Sequence, residues 1–260
     1  VQDGDGAVAE MLRPEVGASI PRYLRHALET RQDWERIRDE RLNPDDPGRV
    51  PDNLDELCRQ SLNADYPISL GWLRNWMGVE RISIAIMEDT AWVVEMMSHL
   101  TELKMTLFAR LAGKCRIDLG TGWEDMCFNK GPLVSPGWFE EHMVPQYRRV
   151  TDFLRRECAC EFNMLDCDGN THALIPGWLE GGINVMFPVE VAHTDPCRIR
   201  AEFGTRAPMR GAFDKRALIA GKEAIDREFT RLRPLLEGGG FIPHTDHLVP
   251  PDVPWEHYCY

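Results

Sequence analysis

The feature that most constrains this chain is an alternation repeated six times. Short, mostly apolar segments read as strands: "YPISLGW" (66–72), "CRIDLGT" (115–121), "CEFNMLDC" (160–167), "INVMFPVE" (183–190), "APMRGAF" (207–213) and "GFIPHTD" (240–246). Helical segments lie between them. In the longest, Trp92, Met96, Leu100, Leu103, Leu107 and Leu111 recur at helical spacing, and Gly113 is expected to end the run. The segment from Ser135 begins with an N-cap and Pro136 at the first helical position, and Pro145 is expected to kink it. Strands apolar on both faces are those of a parallel sheet covered by helices, so a (β/α) barrel and an open doubly wound sheet both fit. No glycine-rich phosphate loop follows a strand, which argues against a nucleotide or dinucleotide site; "GGG" at 238–240 precedes one and reads as a helix end.

The first 28 residues hold β-like pieces ("GAVAEML", "GASIPRYL"). A helix follows, with Thr30 as N-cap and Asp33 in its first turn. Residues 43–53 read as a loop, and "LDELCRQSL" as a short helix.

The chemistry gathers where the strands end. Glu124 and Asp125 follow the second, Asp166 and Asp168 the third, Glu190 and His193 the fourth, Asp214 with Lys215 and Arg216 the fifth, and His244, Asp246 and His247 the sixth. In a parallel barrel these ends share one face, where loops build the active site. Asp166 and Asp168 are two apart, so both point one way and Cys167 the other. Each residue also has a plainer role. Asp125 and Asp214 fit helix caps equally well, Glu190 could pair with a nearby base, His193 suits a loop, and "DCDGN" is good turn chemistry. Their convergence is the stronger signal, because repelling carboxylates at one rim call for a metal, a cationic group or a shared proton.

A net charge of −12 argues against nucleic acid and anionic membranes as partners. No run of 18 apolar residues and no secretory signal is present, so a cytoplasmic location is expected, with the eight scattered cysteines as free thiols. "CAC" at 158–160 suits either a soft metal or packing beneath a strand.

The segments "WEDMCFNKGPLVSPGWFEEHMVPQYRRVTDFL", "DCDGN", "FPVEVA", "DKRAL", "GKEAIDRE" and "GGGFIPHTDHLVPPDVPWEHY" together resemble the uroporphyrinogen decarboxylase superfamily, and more closely its methyltransferase-like branch. The resemblance covers essentially the whole chain. It implies an α/β fold, the (β/α)8 TIM barrel, here one domain over residues 1–260 with about six of the eight strands. With Val1 in place of methionine and a last helix that stops short, the chain is expected to be a fragment at both ends that does not fold stably alone.

Two reactions are implied. In methyl transfer between a corrinoid protein and a thiol, the relatives hold zinc through a His-x-Cys pair and a distant Cys. The pair aligns with Asp166-x-Asp168, and the distant Cys falls near Asp246 or His247, so carboxylates stand where thiolates stood. The resemblance therefore marks Asp166, Asp168, Asp246 and His247 as holding a divalent metal, zinc or similar, or as an acid/base cluster. Asp166, Asp168, Glu124 and Glu190 are the catalytic candidates. Trp123, Asp214, Arg216 and His244 are candidates for binding a small-molecule, tetrapyrrole or corrinoid substrate. A corrinoid protein is the implied partner, and a homodimer is among the assemblies allowed. The second reaction is decarboxylation of tetrapyrrole acetate groups in porphyrin biosynthesis, which needs no cofactor and clamps a polyanion with arginines; Arg210 and Arg216 are the nearest basic candidates. A non-catalytic binding barrel is the third reading.

Overall fold

The structure is a computed structural model and describes residues 6–10, 21–59, 62–65, 69–114 and 116–260. The chain divides into two compact units, Val1–Leu54 with Ile68–Arg110, and Asp55–Pro67 with Leu111–Tyr260.

In the first unit, strands Val8–Glu10 and Arg22–Arg25 pair antiparallel. Helix Arg31–Arg41 starts as its sequence predicts. Thr30 Oγ1 accepts from Asp33 N–H while the Asp33 carboxylate accepts from Thr30 N–H, a reciprocal cap of the kind that contributes about 1 kcal/mol. Its buried face, Trp34 and Ile37, joins a core with Leu73, Met77, Val93, Met96, Met97 and Leu100. These come from helices Ser69–Met77 and Thr90–Ala109, and helix Val79–Glu88 between them buries Ile82, Ala85 and Ile86. Two expectations change here. The "SLGW" stretch is helical from Ser69, not a strand, with residues 66–68 outside the described set. Leu73, Trp76 and Met77 are buried at helical spacing, which outweighs local β propensity. The long helix ends at Ala109, short of Gly113, with Arg110 as C-cap.

The second unit holds one six-stranded sheet. Its strands are β1 (Leu62–Asp65), β2 (Ile117–Trp123), β3 (Phe162–Asp166), β4 (Val185–Phe187), β5 (Met209–Phe213) and β6 (Phe241–Thr245). Every neighbouring pair is parallel, and the order across the sheet is the order along the chain. The first strand thus lies four residues upstream of its expected place. The strand order never turns back along the sheet. That excludes the doubly wound alternative, whose strand order turns back on itself.

Burial alternates in part. Gly120, Gly122, Asn163, Leu165, Met186, Met209, Gly211, Phe213 and Phe241 are buried. In the alternate positions Leu119, Thr121, Trp123, Asp166, Val185, Phe187, Arg210, Ile242 and His244 are half-buried or exposed, while Met164 and Ala212 are buried. Helices α1 (Val144–Cys158), α2 (Ile175–Glu180), α3 (Pro196–Phe203), α4 (Lys215–Ala220) and α5 (Lys222–Glu237) supply the apolar partners, among them Tyr147, Leu154, Trp178, Ile199 and Leu232. A short α6 (Trp255–Cys259) ends the chain. The helical run that starts at Pro136 changes character just before Pro145. The wide turn Phe139–Met143, in which Val144 N–H bonds Phe139 C=O, brings the chain into Pro145 as the first turn of α1, where no N–H is needed.

Candidate functional site

All of the strand-end acids lie in the second unit, at the C-terminal end of the sheet. The parallel register sets Trp123 beside Asp166, and Asp166 beside Phe187. These three residues of adjacent strands share the half-buried face. Above them lies a cavity of about 430 Å3, whose lining includes Trp123, Asp125, Asp166, Asp168, Phe187, His244, His247 and Tyr258.

Beyond β2 the chain divides its two acids. Glu124 turns to the helical side, fully buried, and accepts from the Tyr147 hydroxyl at 3.3 Å. Burial, and then the Glu124 charge, hold that hydroxyl's proton affinity far above its usual value. Asp125 adopts a left-handed backbone (φ 48°) and accepts from Asp168 N–H at 3.0 Å. It ties two strand ends together and caps no helix.

Beyond β3, Cys167 N–H continues the ladder to Phe187 C=O, while its thiol is buried away from the cavity. Burial, with Cys127 beside it, pushes that thiol well above the ordinary range, so no thiolate is available there. Gly169 follows with φ 83°, and a Cβ there would lie 2.7 Å from Phe128 C=O. The "DCDGN" turn therefore requires its glycine.

The carboxylates in the cavity raise one another's proton affinity. Burial pushes Asp166 up to about 7, and the charges of Asp168 and Asp125 push the same way, while His247 and Arg210 pull it down. Asp168 is also raised, by burial and then by Asp125, with His247 opposing. His247 Nε2 lies 3.1 Å from Asp168 Oδ2. His244 stands edge-on to Phe187 with ring centroids 5.7 Å apart, and Arg210 stacks on the same ring at 5.0 Å.

The other predicted residues lie elsewhere. Asp246 is 1 % exposed, and both its oxygens are engaged: Oδ1 accepts from Lys215 N–H at 3.0 Å and Oδ2 from Val191 N–H at 3.1 Å. Glu190 pairs with Lys215 Nζ at 3.2 Å and accepts from Gly169 N–H at 3.1 Å. His193 lies 4.0 Å from Glu190. Asp214 caps α4 and pairs with Arg216 at 2.6 Å, each satisfying the other.

The set Asp166, Asp168, Asp246 and His247 is thus not assembled, because Asp246 belongs to a separate network. Among the described residues, no group of three or more His, Cys, Asp or Glu side chains is placed to hold a metal ion. A four-ligand metal centre does not fit this donor arrangement. Asp125 and Lys215 are the residues to add. Asp125 was legible by alternation, since it sits two positions after Trp123.

No family model matches the sequence. No curated protein matches it. Among solved structures, the fold is similar to a methyltransferase from Methanosarcina mazei. The TM-score is 0.60 at 14% identity, over 95% of this chain and 72% of that chain. At that identity the likeness is one of fold. Among the described residues, no helix is long and apolar enough to cross a membrane.

Proposed function

We propose that this chain is a methyltransferase-like enzyme whose sheet forms the larger part of a (β/α)8 barrel of the uroporphyrinogen decarboxylase type. The six-stranded parallel sheet, whose order follows the chain, and the fold likeness support the barrel. The reaction reading rests chiefly on Asp166, a cavity carboxylate whose proton affinity is raised to about 7. A group poised there exchanges a proton efficiently near neutrality.

In this reading the acceptor's nucleophilic atom attacks the methyl carbon in line. The bond to the acceptor forms as the bond to the donor breaks, and Asp166 takes the proton the acceptor loses. His247, held by Asp168, orients the acceptor, and Trp123 and Phe187 flank it. The methyl donor is a corrinoid-bound methyl group or a methylated small molecule. No step runs through a metal ion. Decarboxylation is not the reading favoured: the described cavity lining presents three aspartates and no Lys or Arg, a poor host for a polyanion.

The test is methyl transfer from methylcobalamin to a panel of small thiols and amines, followed by the corrinoid spectrum. Turnover above the uncatalysed rate that is lost in Asp166→Asn supports the reading. Turnover that survives the substitution refutes the role given to Asp166, and no turnover with any acceptor counts against methyl transfer from a corrinoid.

A further inference from the structure

Asp168 and His247 meet across the sheet, although their strands are not neighbours. Asp168 follows β3 and His247 follows β6, with β4 and β5 between them. Three inter-strand spacings amount to roughly 14 Å, so ladder hydrogen bonds alone do not set the two side chains against each other. A second set of contacts, outside the cavity lining, links the same two strand ends.

Lys215, the first residue of α4, is its hub. Lys215 Nζ donates to Glu190 Oε1 at 3.2 Å, and the other oxygen of Glu190 accepts from Gly169 N–H at 3.1 Å, one residue after Asp168. On the other side, Lys215 N–H donates to Asp246 Oδ1 at 3.0 Å, and its Nζ lies 3.7 Å from the same atom. Asp246 is the residue before His247. Its Oδ2 accepts from Val191 N–H at 3.1 Å, and its own N–H donates to Phe213 C=O at 2.9 Å. One lysine thus reaches the backbone beside each partner of the pair, through one acid on each arm. Glu190 and Asp246 are mostly buried, and without Lys215 they would be two neighbouring acids without their shared cation.

We infer that Lys215 is a positioning residue that sets Asp168 and His247 within hydrogen-bond reach of each other, acting through Glu190 and Asp246. It touches neither the pair nor the cavity lining. The inference builds on the proposed role of the cavity, but its test does not depend on turnover.

The protein is labelled with 15N-histidine, and the His247 imidazole is observed by NMR, assigned by its loss in His247→Gln. Lys215→Met is expected to abolish the hydrogen-bonded Nε2 signature of His247, and Lys215→Arg to restore most of it. Lys222→Met is the control: its ammonium stacks on Tyr260 at 4.9 Å, outside the network, and the His247 signals are expected to stay in place. A folded Lys215→Met protein with an unchanged His247 spectrum overturns the inference. Should that variant fail to fold, Glu190→Gln reads one arm alone. A shifted His247 signal then supports the inference, and an unmoved one overturns it. Altered spectra in a protein that transfers no methyl group would uphold the positioning role while refuting the proposed function.

Discussion

Two groups of acids share the C-terminal end of one sheet, and their surroundings differ. Burial raises the proton affinity of both Asp246 and Asp166. At Asp246 the Lys215 and Val191 N–H groups and the Lys215 charge oppose it, and Glu190 likewise meets a backbone N–H and the lysine. At Asp166 the charges of Asp168 and Asp125 add to it. An acid with donors at both oxygens holds loops together. An acid left against other acids holds a proton. In sequence the two kinds look alike, since each follows an apolar strand.

Exchanging the roles by mutation is the largest test of this contrast. Asp166→Asn is expected to lower turnover roughly 10²–10⁴-fold, the usual contribution of a general acid or base. Asp246→Ala is expected to act on stability instead. Two backbone N–H groups and a lysine lose their partner, at a cost of roughly 3 kcal/mol, read as a lower denaturation midpoint at an unchanged slope. Equal effects of both substitutions on turnover would erase the distinction.

Next in size is a pH-dependent gain. The folded-state proton affinity of Asp166, about 7, lies above the ordinary carboxylate value of 3.8. Below pH 4 the group is protonated in both states and costs nothing. As pH rises towards 7 the unfolded chain loses its proton first, so stability falls, and above 7 the full cost is present. Asp166→Asn is therefore expected to stabilise the protein at pH 8 by roughly 2 kcal/mol, discounted for partial exposure, and the gain is expected to vanish near pH 4. Thermal melts at the two pH values measure it. The smallest expected effect belongs to Arg216→Ala. Its pair with Asp214 is exposed on the arginine side, so stability is expected to change by less than about 1 kcal/mol, with turnover unaltered. A large loss of turnover there would return Arg216 to the substrate.

The repeating strands were legible because apolar runs covered by helices leave a strong pattern. β3, β4, β5 and β6 fall within the segments read as strands, and the caps at Thr30 and Ser135 stand as expected. β1 was not legible. "LNAD" carries little β propensity, while the aromatic-rich stretch after it reads as a strand and is helical from Ser69 on. The turn of Asp166 and Asp168 to one side followed from strand alternation alone. Which acids would be neutralised did not, because the donors to Asp246 come from Val191 and Lys215, 55 and 31 positions away in sequence. Lys215 stood among the strand-end residues, but its linking role was not legible for the same reason, since its two acids come from distant parts of the chain.

The difference between the two groups of acids rests most heavily on Asp166. A 13C titration of the aspartate side chains, with the Asp166 carboxyl assigned by its absence in Asp166→Asn, measures its proton affinity directly. A midpoint at about 7 is expected. A midpoint near the ordinary value of 3.8 would contradict the proposal that this carboxylate is the proton-transferring group of the site.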